Sequence, residues 1–276
     1  MDRVAAAQLP TIAPTVRRCV AYHHTGLTPG IHLGLPSPTL TVVLSIGSPT
    51  VLAAVPGPTR PPAPFWALVS GLWMGPATIA YDREMCGIQL DITPQGARSL
   101  FGVPASQLAH GVVEMEDVLG PAAAELLDRL HEAEAWDDRI AAVDEILGRG
   151  APGGAPAQAQ VDRAWRLIES TAGTMRITDV ADAVGWSRRH LDREFEGEFG
   201  LTPKDVARLA RFSRSRQLVT ERPGTPLAAV AAECGYCDQP HLAREWKRFV
   251  GTPASAWWRS DGVQFFQDDA TAAVAS

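Results

Sequence analysis

The chain lacks a long hydrophobic run. Its most apolar stretch, residues 39–55, is interrupted by Ser45, Gly47, Ser48 and Pro49, and a membrane-spanning helix needs roughly 18 to 20 consecutive apolar residues. No membrane partner is therefore expected. The apolar residues after Arg3 are cut by Gln8, Pro10 and Pro14 before the core of a secretory leader can form, which sets a cytoplasmic location as the expectation. Cysteine is scarce: four in 276 residues are too few for a disulfide framework and read as thiols in a reducing compartment. Enzyme signatures are missing too. The sequence contains no G-x-S-x-G and no G-x-x-x-x-G-K-[ST], and His131-Glu132 has no second histidine in the spacing of a zinc-protease helix, so hydrolase and nucleotide-binding readings have no support.

What is present is a globular composition, with 46% apolar and 20% charged residues, and a length that suggests two domains. The net charge of −6 argues against nucleic acid until the chain is divided. Residues 1–150 carry 9 Lys+Arg against 15 Asp+Glu, whereas residues 151–260 carry 16 against 13, and 14 of those 16 cations are Arg. Arginine forks onto phosphates and guanine edges in a way that lysine does not.

Eleven of the 22 prolines fall in the first 64 residues, among short β-branched runs, and proline at that density excludes long helices. Strands are expected over 39–45, 65–73, 76–81 and 86–93, and helices over 95–101, 105–109, 121–134 and 136–147. The N-terminal part, about 1–148, thus reads as strands followed by helices, an α+β domain. Residues 149–160, rich in Gly, Pro and Ala, read as a linker. Beyond it, helices are expected over 161–170, 177–184, 188–199, 203–220, 226–234, 239–250 and 253–259, making 161–260 an all-α domain. The residues after 260 form a polar tail.

The second half repeats itself. Val180, Ala181, Gly185 and Trp186 recur fifty positions later as Val230, Ala231, Gly235 and Tyr236; His190, Leu191, Arg193 and Phe195 recur at fifty-one as His241, Leu242, Arg244 and Trp246. Each unit outlines a short helix, a glycine turn, a capping residue (Ser187 or Asp238) and a second helix, the plan of a helix-turn-helix. Leu191 and Phe195, like Leu242 and Trp246, are four apart and would anchor the second helix to a core. That leaves Arg189, Asp192 and Arg193 to project from the other face.

Gly185-Trp-Ser-Arg-Arg-His-Leu-Asp-Arg-Glu-Phe195, Gly200-Leu-Thr-Pro203, Gly235-Tyr-Cys-Asp-Gln-Pro-His-Leu-Ala-Arg-Glu-Trp246 and Gly251-Thr-Pro-Ala-Ser-Ala-Trp257 resemble the double helix-turn-helix DNA-binding domain of the AraC/XylS transcription regulators. The resemblance covers about residues 160–260. It implies two recognition helices joined by a long helix and reading successive major-groove segments of promoter DNA, with no catalytic residue and no cofactor. Base contacts would come from Arg189, Asp192 and Arg193 in the first unit and from Gln239, His241 and Arg244 in the second. Phosphate contacts would come from Arg188, Lys204, Arg208 and Lys247. Acids at 192, 194, 196 and 198 leave the first recognition helix nearly neutral. The second, with Arg244, Lys247 and Arg248 against Glu245, is expected to carry more of the affinity.

The family also implies a β-barrel-like N-terminal sensor that binds a small-molecule effector, dimerises, or both, with RNA polymerase as a further partner. Phe65, Trp66, Trp73 and Tyr81 are candidates for lining an apolar effector pocket. Two other chemistries compete with this reading. Cys234-Gly-Tyr-Cys237 with His241 has redox or zinc spacing, but the pair straddles a helix-turn-helix turn and lacks a fourth nearby ligand. His23, His24 and His32 could serve a catalytic barrel merely tethered by the helical domain, yet no H-x-H with a nearby Glu accompanies them. No metal site is expected.

Overall fold

The computed structural model describes residues 3–55, 62–150 and 157–251. Ten strands come first: β1 (Arg3–Ala6), β2 (Val16–Thr25), β3 (Gly30–Gly34), β4 (Leu40–Ser45), β5 (Thr50–Ala54), β6 (Ala63–Phe65), β7 (Ala67–Ser70), β8 (Ala77–Tyr81), β9 (Glu84–Ile92) and, after two short helical segments, β10 (Val112–Glu114). They build two antiparallel sheets, one in the order β1-β2-β9-β4-β7-β10 and one in the order β3-β8-β5-β6. Each sheet ends on edge strands, so the barrel-like expectation is corrected to two open sheets. Short strands, proline at Pro64 and bulges at Val16/Arg18 and Leu52/Ala54 interrupt pairing before closure.

Alternation along the strands sorts the side chains into two layers. Val42, Leu44, Ala67, Val69, Ile88 and Leu90 enter a core shared with the helices, whereas Val43 and Leu68 turn the other way, onto Leu52, Trp73, Phe65 and Ile79 between the sheets. The helices are α1 (Gly96–Phe101), α2 (Glu116–Leu119), α3 (Pro121–Glu132) and α4 (Trp136–Gly148), with a 3₁₀ turn at Ala105–Gln107. Asp144 of α4 ties the N-terminal segment to them: it accepts from the Thr11 backbone N–H and hydroxyl (3.0 and 2.7 Å) and from the Ile12 N–H (3.3 Å).

Six helices follow: α5 (Ala159–Ser170), α6 (Ile177–Ala183), α7 (Arg188–Phe199), α8 (Pro203–Glu221), α9 (Leu227–Glu233) and α10 (Gln239–Val250). The expected helix over 253–259, the tail and half of the expected linker, residues 151–156, lie outside the described residues. None of the described helices is long and apolar enough to cross a membrane.

Candidate nucleic-acid interface

The repeat seen in the sequence is a repeat of hydrogen bonds. In the first unit the Gly185 N–H donates to Asp182 O (3.1 Å) and Trp186 N–H to Ala181 O (2.9 Å); fifty residues later Gly235 donates to Ala232 O (3.3 Å) and Tyr236 to Ala231 O (2.9 Å). Gly185 and Gly235 make the turn at φ 75° and 71°, the left-handed region that costs a side-chain-bearing residue strain. Ser187 then caps α7 by accepting from His190 N–H (3.3 Å), and Asp238 caps α10 by accepting from His241 N–H (2.7 Å). Each cap satisfies one of the amides a helix start leaves free. The aromatic after each turn glycine meets the matched histidine edge-on, Trp186 with His190 at 4.5 Å and Tyr236 with His241 at 5.3 Å.

The inner faces differ in their partners. Leu191, Phe195 and Phe199 are buried against Trp165 of α5, with ring centroids 5.7 and 4.5 Å from the two phenylalanines. Leu242 and Trp246 are buried against Phe212 of α8, and the Trp246 indole donates to the buried Ser215 hydroxyl (3.0 Å). Helix α8, capped by Thr202 on Asp205 N–H (3.2 Å), contributes residues to the core beside both units.

Those outer faces carry the residues chosen from the sequence, in different electrostatic states. On α7, Arg189 is exposed and makes no hydrogen bond or ion pair among the described residues. Arg188 holds the Asp192 carboxylate (2.8 and 3.0 Å), and Arg193 holds Glu194 (2.7 and 3.0 Å) while touching His190 Nδ1 (2.8 Å). The Arg193 contact keeps the Glu194 carboxyl below its ordinary range. On α10, Gln239, Arg244 and Lys247 are exposed, and none of the three pairs with another described residue; His241 accepts from the Cys237 backbone N–H at 3.3 Å. Lys204, at the start of α8, is exposed.

Arg208 is different. Its guanidinium clasps Glu245 (2.8 and 2.9 Å), reaches Asp205 (3.3 Å) and lies 5.6 Å over the Phe249 ring, with side-chain exposure of 11% and 13% for Arg208 and Glu245. The guanidinium that the sequence assigned to a phosphate is thereby occupied. Burial pushes the Glu245 carboxyl up, but the hydrogen bond and charge of Arg208 outweigh it and leave the group below its ordinary range. With Glu245 turned inward, the outward face of α10 shows His241, Arg244, Lys247 and Arg248.

A feature that sequence reasoning missed is the grip of the N-terminal part on the far end of α7. Arg98 of α1 forks onto Glu198 with two bonds of 2.7 Å, Ser106 donates its hydroxyl to Gly197 O (2.7 Å), and a ring nitrogen of His110 lies 3.2 Å from Gly200 O. Glu198 is buried. A Cβ at Gly200 would stand 2.3 Å from the Ala109 methyl, and its φ is 73°, so glycine is needed there both for conformation and for close approach. Arg17 adds an ion pair to Glu169 of α5. These contacts join residues about 90 to 150 positions apart, and no local pattern announces them.

The remaining candidates are placed as follows. Tyr81 lines a cavity of about 350 Å³ that spans the two sheets. Phe65 and Trp73 pack in the inter-sheet cluster, and Trp66 is 41% exposed with its ring edge-on to His131 at 5.2 Å. Cys234 is buried at the end of α9, where its repeat partner Val184 ends α6, and burial pushes its thiol up to about 11; Cys237 is exposed. Among the described residues no group of three or more His, Cys, Asp or Glu is placed to hold a metal ion.

Residues 180–260 match a family of the description "Helix-turn-helix domain". Over 76 residues the chain is 33% identical to an uncharacterized HTH-type transcriptional regulator, YbfI of Bacillus subtilis (strain 168), a match covering 28% of this chain and 27% of that protein. The chain thus spans about a quarter of the length of the curated relative it matches. In fold it is similar to ToxT of Vibrio cholerae O395, at 12% identity and a TM-score of 0.50 over 89% of this chain and 97% of that one. It is also similar to the unsaturated fatty acid bound form of ToxT from Vibrio cholerae strain SCE256, at 10% identity and a TM-score of 0.50 over 87% and 94%.

Proposed function

We propose that this protein is a sequence-specific DNA-binding transcription regulator of the AraC type whose N-terminal part senses a small molecule, a reading supported by the helix-turn-helix domain that residues 180–260 match. The observation that carries the reading is the matched pair of capped helices, α7 and α10, with unpaired cations on their outer faces. Arg244 and Arg189 fork onto guanine O6 and N7, Gln239 onto adenine, and Asp192 accepts from cytosine, with His241 and Arg193 completing the base-reading set. Lys247, Lys204 and Arg188 hold phosphates, and Arg208 cements α8 to α10 rather than touching DNA.

The N-terminal part acts on this reader non-covalently. The strands and α1–α4, about 1–148, form the sensing unit, residues 149–160 link it to the reader, and its grip on α7 through Arg98, Ser106 and His110 is the route by which an effector biases the reader's placement. ToxT, solved with an unsaturated fatty acid, supports a ligand-responsive role for this architecture. The protein works in the cytoplasm beside RNA polymerase, as a dimer where its operator is a repeated half-site. The test is fluorescence anisotropy of the full chain on its own promoter region against a scrambled fragment over a salt series. A preference of about a thousandfold at physiological salt is expected. Equal, weak and steeply salt-dependent binding to both fragments would show phosphate attraction alone and return the helical domain to a tether for an enzyme.

A further inference from the structure

The cavity between the sheets has a charge character of its own. One wall is Tyr22 of β2 with Met85 and Cys86 of β9; the other is Val51 of β5 with Ile79 and Tyr81 of β8. The walls are apolar and aromatic, with the Ser48 and Thr50 hydroxyls at one side. At about 350 Å³ the space is at the small end of the range for ligand sites. Burial raises the Tyr22 phenol and the Cys86 thiol above their ordinary values, so both stand as neutral groups at neutral pH.

The charged residues that line it are both acids. Asp82 and Glu84 flank the β8–β9 turn, exposed, and neither Lys nor Arg is among the described lining residues. Asp82 accepts from the Arg83 backbone N–H (2.8 Å), and one Glu84 oxygen lies 2.7 Å from His23 Nε2. Arg139, the cation whose charge reaches Cys86, is held on α4 by Leu130 O (3.1 Å) and the Trp136 ring (5.0 Å).

We propose that this cavity binds a small organic cation, an amine or quaternary ammonium on a compact apolar body, and that it discriminates against carboxylates of the same shape. The apolar body fills the space between Val51, Ile79 and Met85, removing its surface from water. The cationic end sits at the mouth, attracted by Asp82 and Glu84 and by the ring of the adjacent Tyr81. An anion of equal size would meet two carboxylates, with no lysine or arginine among the described lining residues. The inference rests on the regulator reading for its consequence, since it names the class of signal that the sensing half receives.

Isothermal titration calorimetry of the full chain with hexyltrimethylammonium and with heptanoate decides it. The cation should bind about tenfold tighter, a modest figure because both acids are exposed and partly screened. The double substitution Asp82→Asn/Glu84→Gln, on the surface and harmless to the core, should remove that advantage, and Val51→Trp should fill the space and abolish binding of either compound. Equal affinities, a preference for heptanoate, no binding of either compound, an advantage that survives the double substitution, or binding that survives in a Val51→Trp protein with native circular dichroism would each overturn the assignment. Anisotropy on promoter DNA in parallel separates the two readings: cation binding without DNA binding sinks the regulator and keeps the site, whereas DNA binding without cation selectivity does the reverse.

Discussion

The two helix-turn-helix units share a backbone plan to within a few tenths of an ångström in their turn hydrogen bonds, yet their charges are handled in opposite ways. In the first unit Asp192 and Glu194 stay on the outer face of α7 and occupy Arg188 and Arg193, so the helix that could meet DNA is nearly self-neutralised. In the second the acid of α10, Glu245, is drawn inward by Arg208 of α8, and among the described residues Arg244, Lys247 and Arg248 form no ion pair with it. The difference teaches that a helix's basicity as DNA meets it is set by where its acids point as much as by its composition. The fold gives the first unit a second role instead. Its C-terminal turn, through Gly197, Glu198 and Gly200, is the surface the N-terminal part holds. The first unit thus docks on the N-terminal part, and the second presents the larger set of unpaired cations.

The strongest test of the common plan is the core. Trp246→Ala and Phe195→Ala occupy the same repeat position and are both fully buried, so each should cost about 3–5 kcal/mol in urea unfolding; a small loss in one alone would show that its unit is held by something other than the matched core. Next comes the asymmetry of the acids. Glu245→Gln breaks a largely buried pair and should cost about 2–3 kcal/mol, whereas Asp192→Asn, on the exposed α7 face, should cost less than about 0.5 kcal/mol.

The pH dependence follows from the same pair. The folded Glu245 carboxyl lies below its unfolded value, so its contribution is complete above the ordinary glutamate range near about 4.3 and is lost as pH falls through the lower folded value. Thermal unfolding between neutral pH and pH 3 should therefore fall less steeply for Glu245→Gln than for the native chain; identical slopes would remove Glu245 from the account.

On DNA the expected effects are smaller and sharper. Arg244→Ala should cost about 1–3 kcal/mol of specific binding and relax preference at one base position. Arg193→Ala, whose guanidinium is 71% exposed but engaged by Glu194, should cost under about 1 kcal/mol, since part of what is removed is an internal ion pair. Equal losses, measured by anisotropy, would remove the electrostatic contrast between the two units. The smallest change is Lys247→Ala, which should weaken all sequences alike and lower the salt slope by about one unit.

The sequence carried much of this. Repeats at fifty and fifty-one residues, the turn glycines, Ser187 and Asp238 as caps, and the bounds of α7 and α10 were legible, because turns, caps and a 3.6-residue period are properties of neighbouring residues. The strands were harder. Strand β2 runs ten residues from Val16 to Thr25 with Cys19, Val20, Ala21 and Tyr22 buried in a row, since its sheet is covered on both faces, and a strand buried on both faces shows no alternation to read. Closure into a barrel was expected from family likeness alone, and the open edges of both sheets decided otherwise.

What the sequence by itself determined is the duplicated helical reader, its glycine turns and the inventory of cations that could meet DNA. What only the tertiary structure decided is which charges remain available: Arg98 with Glu198 across a hundred residues, Arg208 with Glu245 across thirty-seven, and a cavity whose charged lining comes from a single hairpin turn. The physical reason is that helix periods and caps arise between neighbours in the chain, whereas a charge is cancelled or kept by whatever the fold places a few ångströms away.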